Sequence, residues 1–300
     1  MVAGAGPGSV FVVGSVNEDV VLRVPRRPEP GETLSATSVV RRPGGKGANQ
    51  AVAAARQGAG VQLLARVGAD PAGQRMLDAL ASAGVGTDLV TTDRDVATGS
   101  AYIVVTPDGE NSIVLEAGAN HRLGPADVEL GAPALRQAAV LLVQLEVPLD
   151  TVVAALALAV GAGVRPVLTL APVQPVPDRA LLGLDPLLAN QHEAGFLLGR
   201  EAITVGEAEP VARDLLDRGP RSVVITLGAD GAVVGTASGV HRLPVASLGG
   251  GAGDVVDTTG AGDALAGALA AALARGEPLL DSARAGLEAA GAVVRRVGAR

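Results

Sequence analysis

The chain has 300 residues, 48 % of them apolar, with a formal net charge of −7 and no cysteine. That length suits one large α/β domain or one domain with a small appendage, and the missing cysteines exclude disulfides, thiolate nucleophiles and Cys-based zinc sites. Three histidines are too few for a His-rich metal site, while one Tyr, two Phe, no Trp and a net negative charge offer nucleic acid neither stacking platforms nor a basic stripe.

Residues 1–16 lack a basic n-region and their apolar run is broken by Gly and Pro, so no signal peptide is expected and a cytoplasmic enzyme is the default. The glycines of residues 4–8 superficially suggest a dinucleotide fingerprint. They precede the first strand, residues 9–16, instead of following it, which removes the best evidence for a nicotinamide dehydrogenase. Residues 19–42 alternate and contain several prolines, with no helical period. An Ala-rich helix over 47–58 ends at Gly58, a strand follows over 61–67, and a helix over 72–83 is closed by Gly84. Residues 98–118 read as a hairpin, with strands 100–105 and 112–116 around Pro107-Asp108-Gly109. A strand over 139–145 comes next. The most hydrophobic window, 151–173, is interrupted by Gly161, Gly163, Arg165 and Pro166, so it reads as a helix and then a buried strand, not a membrane span. A further strand covers 222–227, the Gly-rich residues 249–253 form a loop insertion, and an apolar helix over 264–274 stops at Gly276.

This βαβα rhythm predicts a mostly parallel sheet with helices on both faces, in a single domain spanning 1–300. The segments without helices, about 19–42 and 98–118, cannot extend such a sheet. They predict a small separate β sheet that acts as a lid, as a dimerisation surface, or as both.

Four constellations carry chemistry. In Asp257-Thr258-Thr259-Gly260-Ala261-Gly262-Asp263, a Gly-Ala-Gly turn before a helix presents unpaired N–H groups at the positive end of the helix dipole, an anion site suited to a phosphoryl group. Asp263 stands beside it; the plainer reading is a helix cap. In Gly44-Gly45-Lys46-Gly47-Ala48-Asn49-Gln50 the glycines permit close ligand approach and Asn49 can pair with a polyol, although the Walker spacing is absent. Asn17-Glu18-Asp19 and Glu146 each follow a strand, at the sheet edge where ligands of open α/β folds bind. Asn190 and Glu193, three apart on one helix turn, suit a magnesium–water shell or an ordinary helix start, and residues 226–231 follow another strand and could line a nucleotide pocket.

The segments over 44–53 and 257–263 together resemble the two signatures of the ribokinase family of carbohydrate kinases, and the similarity extends over residues 9–300. The resemblance implies a doubly wound α/β domain with a β lid that pairs two subunits. It implies sugar contacts from Asn17, Asp19, Gly45, Lys46, Asn49, Glu146 and Asp263, and ATP contacts from Asn190, Thr226, Gly228, Gly231 and Gly262. Asp263 takes the place of the catalytic base, with Gly260, Ala261 and Gly262 as the anion hole. Glu193 would hold Mg²⁺ through water, while Asp257, Thr259, Val293, Arg296 and Gly298 would form a K⁺ site. Three positions depart from the family: Ala264-Leu265 after the base, Leu287 where a polar residue is expected near adenine, and Leu170 where Asn-Pro-Ala is common. The expected reaction is phosphorylation of the primary O5 hydroxyl of a ribose. Deoxyribose, another pentose or a nucleoside is the alternative substrate, and a sugar-binding sensor on the same scaffold the non-enzymatic one.

Overall fold

The computed structural model describes residues 8–244 and 259–294. In chain order these form β1 (Val10–Val13), β2 (Asn17–Arg23), β3 (Ser38–Gly44), α1 (Lys46–Arg56), β4 (Val61–Gly68), α2 (Pro71–Ser82) and β5 (Val85–Asp93). β6 (Gly99–Val105), β7 (Asn111–Glu116), α3 (Pro125–Leu135), β8 (Val140–Val143), α4 (Leu149–Ala162) and β9 (Arg165–Thr169) follow. The last are β10 (Leu187–Asn190), α5 (Gln191–Leu197), α6 (Ala208–Leu216), β11 (Ser222–Thr226), β12 (Ala232–Thr236), β13 (Gly239–Leu243), α7 (Ala261–Ala274) and α8 (Leu279–Val293).

Among the described residues the strands build two sheets. The larger runs β13-β12-β11-β10-β9-β8-β1-β4-β5, parallel throughout except for the antiparallel β11–β12 and β12–β13 pairs. Its strands are apolar on both faces because both are covered. Val10 and Val12 of β1 enter the core layer shared with α1 and α7, while Phe11 and Val13 enter the opposite layer with α3, α4 and α6. Local chemistry sets the helix ends: Asp70 caps α2 by accepting from the Gly73 N–H at 2.7 Å, with Pro71 following, and Gly163 ends α4 at φ 73°. The helix-then-strand reading of 151–173 becomes α4 and β9. The strand β10 had no sequence signature of its own, since Gly183 and Pro186 break the run and only four residues pair.

The smaller sheet, β3-β2-β6-β7, is the expected lid. Its limits need correction: β2 begins at Asn17 and β3 ends at Gly44, so the lid runs without a break into the glycine-rich segment that starts α1. The lid carries exposed apolar side chains on both faces, Val39, Tyr102 and Val114 on the face of Glu18 and Ile113 and Leu115 on the face of Asn17 and Asp19. At the lid's base, on the side opposite Asn17 and Asp19, Glu18 is 4 % exposed. One of its oxygens accepts from Arg75 Nε and Nη2 of α2 at 2.9 and 2.6 Å, and the other from Arg41 Nη1 of β3 at 2.9 Å. This triad ties the lid to the body.

Arg75→Ala leaves a buried carboxylate with one exposed partner, so it should cost about 1–3 kcal/mol, more than the roughly 0–1 kcal/mol of an exposed pair. Urea unfolding checks this against Arg200→Ala, which breaks the exposed Arg200–Asp214 pair. Equal losses would make the triad an ordinary surface feature.

Candidate active site

The site forms where α1 and α7 start. Gly45, at φ 85°, turns the chain from β3 into α1, and a Cβ there would stand 2.7 Å from the Asn17 N and 2.9 Å from the Ser15 O. A Cβ on Gly47 would stand 2.5 Å from the Ser15 N, so the first turn of α1 lies directly on the segment leaving β1. Glu146, just past β8, secures this junction: its Oε2 accepts from the Ser15 hydroxyl at 2.6 Å and from the Lys46 N–H at 2.9 Å.

Gly260, at φ 79°, precedes α7, which begins at Ala261 and not at 264 as the apolar pattern suggested. The N–H groups of Ala261, Gly262 and Asp263 therefore belong to the first turn and have no intrahelical acceptor. Asp263 does not cap this helix. Its carboxylate, 8 % exposed, turns toward α1, accepting from Asn49 Nδ2 at 3.1 Å and from Gln50 Nε2 at 3.0 Å. α1 comes this near because the contact is made of small residues; a Cβ on Gly267 of α7 would stand 2.5 Å from both the Ala53 Cβ and the Gln50 O. Burial pushes the Asp263 carboxyl above the ordinary carboxylate range, and Glu146 adds to this; the Lys46 charge and the two amides oppose it. Glu193 is likewise raised, chiefly by burial.

A cavity of about 250 Å³ opens beside this carboxylate and brings together Lys46, Gln50, Thr169, Asn190, Glu193, Thr226, Gly260, Gly262 and Asp263. Asn190 and Glu193 form a reciprocal capping box for α5, with Glu193 N–H donating to Asn190 Oδ1 at 2.9 Å and Asn190 N–H to Glu193 Oε2 at 2.8 Å. The helix-start reading of this pair is thus realised, with both residues still on the cavity.

The other candidates are not among the residues that line this cavity. Asn17 is buried, and its Oδ1 accepts from Asn120 Nδ2 at 2.6 Å. Asp19 shares a lid face with Gly44, where a Cβ would stand 2.0 Å from its Oδ1. Gly228 and Gly231 form the turn between β11 and β12. Thr259 is exposed immediately before Gly260, and Val293 closes α8. Asp257, Arg296, Gly298 and the proposed insertion at 249–253 lie outside the described residues. Leu170 is fully buried and Leu287 packs in the layer with α7. Gln144, Thr169, Ser15 and Asn120 had no motif to mark them: each is a single polar residue in an otherwise apolar or irregular stretch.

This arrangement, a buried carboxylate beside free N–H groups at a helix start, with a small β sheet that runs into the neighbouring helix, is that of a carbohydrate kinase. Residues 8–300 match the model of the pfkB family of carbohydrate kinases, and the chain belongs to that family. It is 39 % identical over 292 residues to the ribokinase of Haemophilus influenzae, covering 97 % of this chain and 94 % of that one. It is 33 % identical over 262 residues to the deoxyribokinase of Salmonella typhi, covering 87 % and 84 %. The structure of Arabidopsis thaliana ribokinase complexed with ribose and ATP superposes with a TM-score of 0.89 at 30 % identity, covering 98 % of this chain and 94 % of that one.

Because the carboxylate's partners depend on the approach of α1 to α7, Gly267→Ala should cost about 1–3 kcal/mol through overpacking and also lower kcat. Thermal melts and steady-state kinetics read the two effects. A variant destabilised in that range with unchanged kcat would separate the helix contact from the chemistry.

Proposed function

We propose that this chain transfers the γ-phosphoryl group of ATP to the primary O5 hydroxyl of D-ribose, giving ribose 5-phosphate. The observation that carries the reading is the Asp263 carboxylate, buried beside the α7 start and held by Asn49 and Gln50 as a proton acceptor. The nearness of ribokinases in sequence and structure supports ribose as the acceptor.

Phosphoryl transfer depends mainly on positioning and charge stabilisation. In this reading the sugar lies between the lid and α1, with Asn17, Asp19, Gly45 and Glu146 around it, and its hydroxyl donates to Asp263. Asp263 takes the proton as the oxygen attacks. The N–H groups of the residues 260–262 turn stabilise the charge on the transferred group, and Lys46 adds a positive charge from α1. The nucleotide lies toward Asn190, Thr226, Gly228 and Gly231.

Mg²⁺ bound with ATP supplies neutralisation of the phosphate oxygens. Glu193 fits a role in holding it through water: it is a hard oxygen donor on the cavity. We also propose that K⁺ activates the enzyme through Asp257, Thr259, Val293, Arg296 and Gly298, since Thr259 adjoins the anion-binding turn. Rates at fixed ionic strength in potassium and in sodium test this; equal rates refute it. The exposed apolar side chains of the lid support a homodimer, which sedimentation of the wild type and of Val114→Asp would check.

Asp263→Asn should lose about 10²–10⁴-fold in kcat while sugar binding, read by calorimetry, persists. A variant that keeps most of its turnover would end the base assignment. The pH profile follows from the same residue. A base must be ionised, so kcat/KM should fall toward acid through an apparent pKa above the roughly 3.9 of a free Asp. Lys46→Met removes an opposing charge and should move that limb to still higher pH.

The deoxyribokinase similarity supports deoxyribose as the second reading. A coupled ADP-release assay over ribose, deoxyribose, other pentoses and nucleosides decides between them; no turnover with any of these would favour a sugar-binding sensor.

A further inference from the structure

The Gln50 amide has one oxygen and one NH₂ and could sit either way round; only one way presents a donor to Asp263. Two neighbours bear on the choice. Gln144 Nε2, which can only donate, stands 2.8 Å from the Gln50 oxygen. On the other side, the Thr169 hydroxyl gives its one proton to the Val143 O at 3.2 Å, so it can only accept from the Gln50 Nε2, also at 3.2 Å. The remaining hydrogen of that nitrogen is left for Asp263 Oδ1, at 3.0 Å. Reversing the amide would set oxygen against carboxylate and NH₂ against NH₂.

Gln144 is a costly way to fill its position. It is 0 % exposed, its Oε1 has no partner among the described residues, and a Cβ on Gly14 would stand 2.0 Å from that oxygen. An apolar side chain would be buried there with less penalty. Among the described residues its one hydrogen bond to a side chain is the one to Gln50.

We propose that Gln144 and Thr169 are positioning residues that lock the Gln50 amide as a donor to Asp263, keeping this carboxylate an acceptor ready for the substrate proton. The proposal rests on the reading of Asp263 as the base. The lock opposes the effect of burial: a donor aimed at the carboxylate favours its ionised form, and losing it raises the pH at which the base becomes available. The other charged groups that act on Asp263 are Lys46 of α1, Glu146 after β8 and Glu193 of α5, and none of them hydrogen-bonds Gln144 or Thr169.

The test is the pH dependence of kcat/KM for Gln144→Met, Thr169→Val, their double variant and Gln50→Leu, with thermal melts and the sugar KM measured alongside. Gln50→Leu should move the acid limb upward by about one pH unit, which is about a tenfold loss of rate on that limb. The double variant should approach the same shift and each single should show less than half of it, because either neighbour alone still favours the productive orientation. The sugar KM should stay put, and Gln144→Met should melt no lower than wild type. If Gln144→Met fails to fold, Thr169→Val alone should still shift the limb. An unmoved limb in the folded double variant, with Asp263→Asn inert, would refute the lock and leave the base standing. Turnover by Asp263→Asn would overturn the base assignment and the lock with it.

Discussion

The structure depends on holding one carboxylate out of water among partners that oppose the effect of its burial. A buried charge is tolerated only with partners, and those of Asp263 come from α1, a helix more than two hundred residues away in the chain. α1 and α7 must therefore touch. The contact between Ala53, Gln50 and Gly267 meets that need, and the nearly continuous burial of small residues along α7 extends it. The alanine-rich, aromatic-poor composition of the chain is the same constraint seen from the sequence: bulkier layers would hold the helices apart.

Two helix starts converge on the cavity, since Lys46 of α1 and Gly262 of α7 both line it. Their dipoles and the single lysine charge face three carboxylates, Asp263, Glu146 and Glu193. The acids are placed by different means. Glu146 is spent on the α1 junction, Glu193 on the α5 cap, and only Asp263 points both oxygens at side-chain amides. This division of labour supports the proposal of Asp263 as the base.

Much of this was legible in the sequence because glycine announces itself. Gly44, Gly45 and Gly47 allow backbone approaches that a Cβ would block, and Gly260 takes a left-handed φ, so both helix starts could be read, and the helix-free segments pointed to the lid. What stayed hidden depends on long-range pairing. That Asp263 is not a cap shows only in its carboxylate, turned to α1. Glu18 looked like a third member of a polar run, although strand alternation sends it to the opposite side of β2, to Arg75. Gln144 and Thr169 are single polar residues at the ends of apolar strands, and nothing local tells that both meet Gln50. β10 escaped because four residues, the first three of them buried, are too few to carry a period.

The rarity of aromatic residues has one more consequence. Tyr102 is the single tyrosine of a chain without tryptophan, and it sits half-exposed on β6 of the lid. Excited beyond the absorption of phenylalanine, the protein's ultraviolet emission therefore originates in the lid alone. The molecule carries its own optical gauge of that sheet, readable in the unlabelled wild-type chain, so that quenching by a dissolved solute and the decay of polarisation would follow the lid's surroundings while the nine-stranded body stays dark.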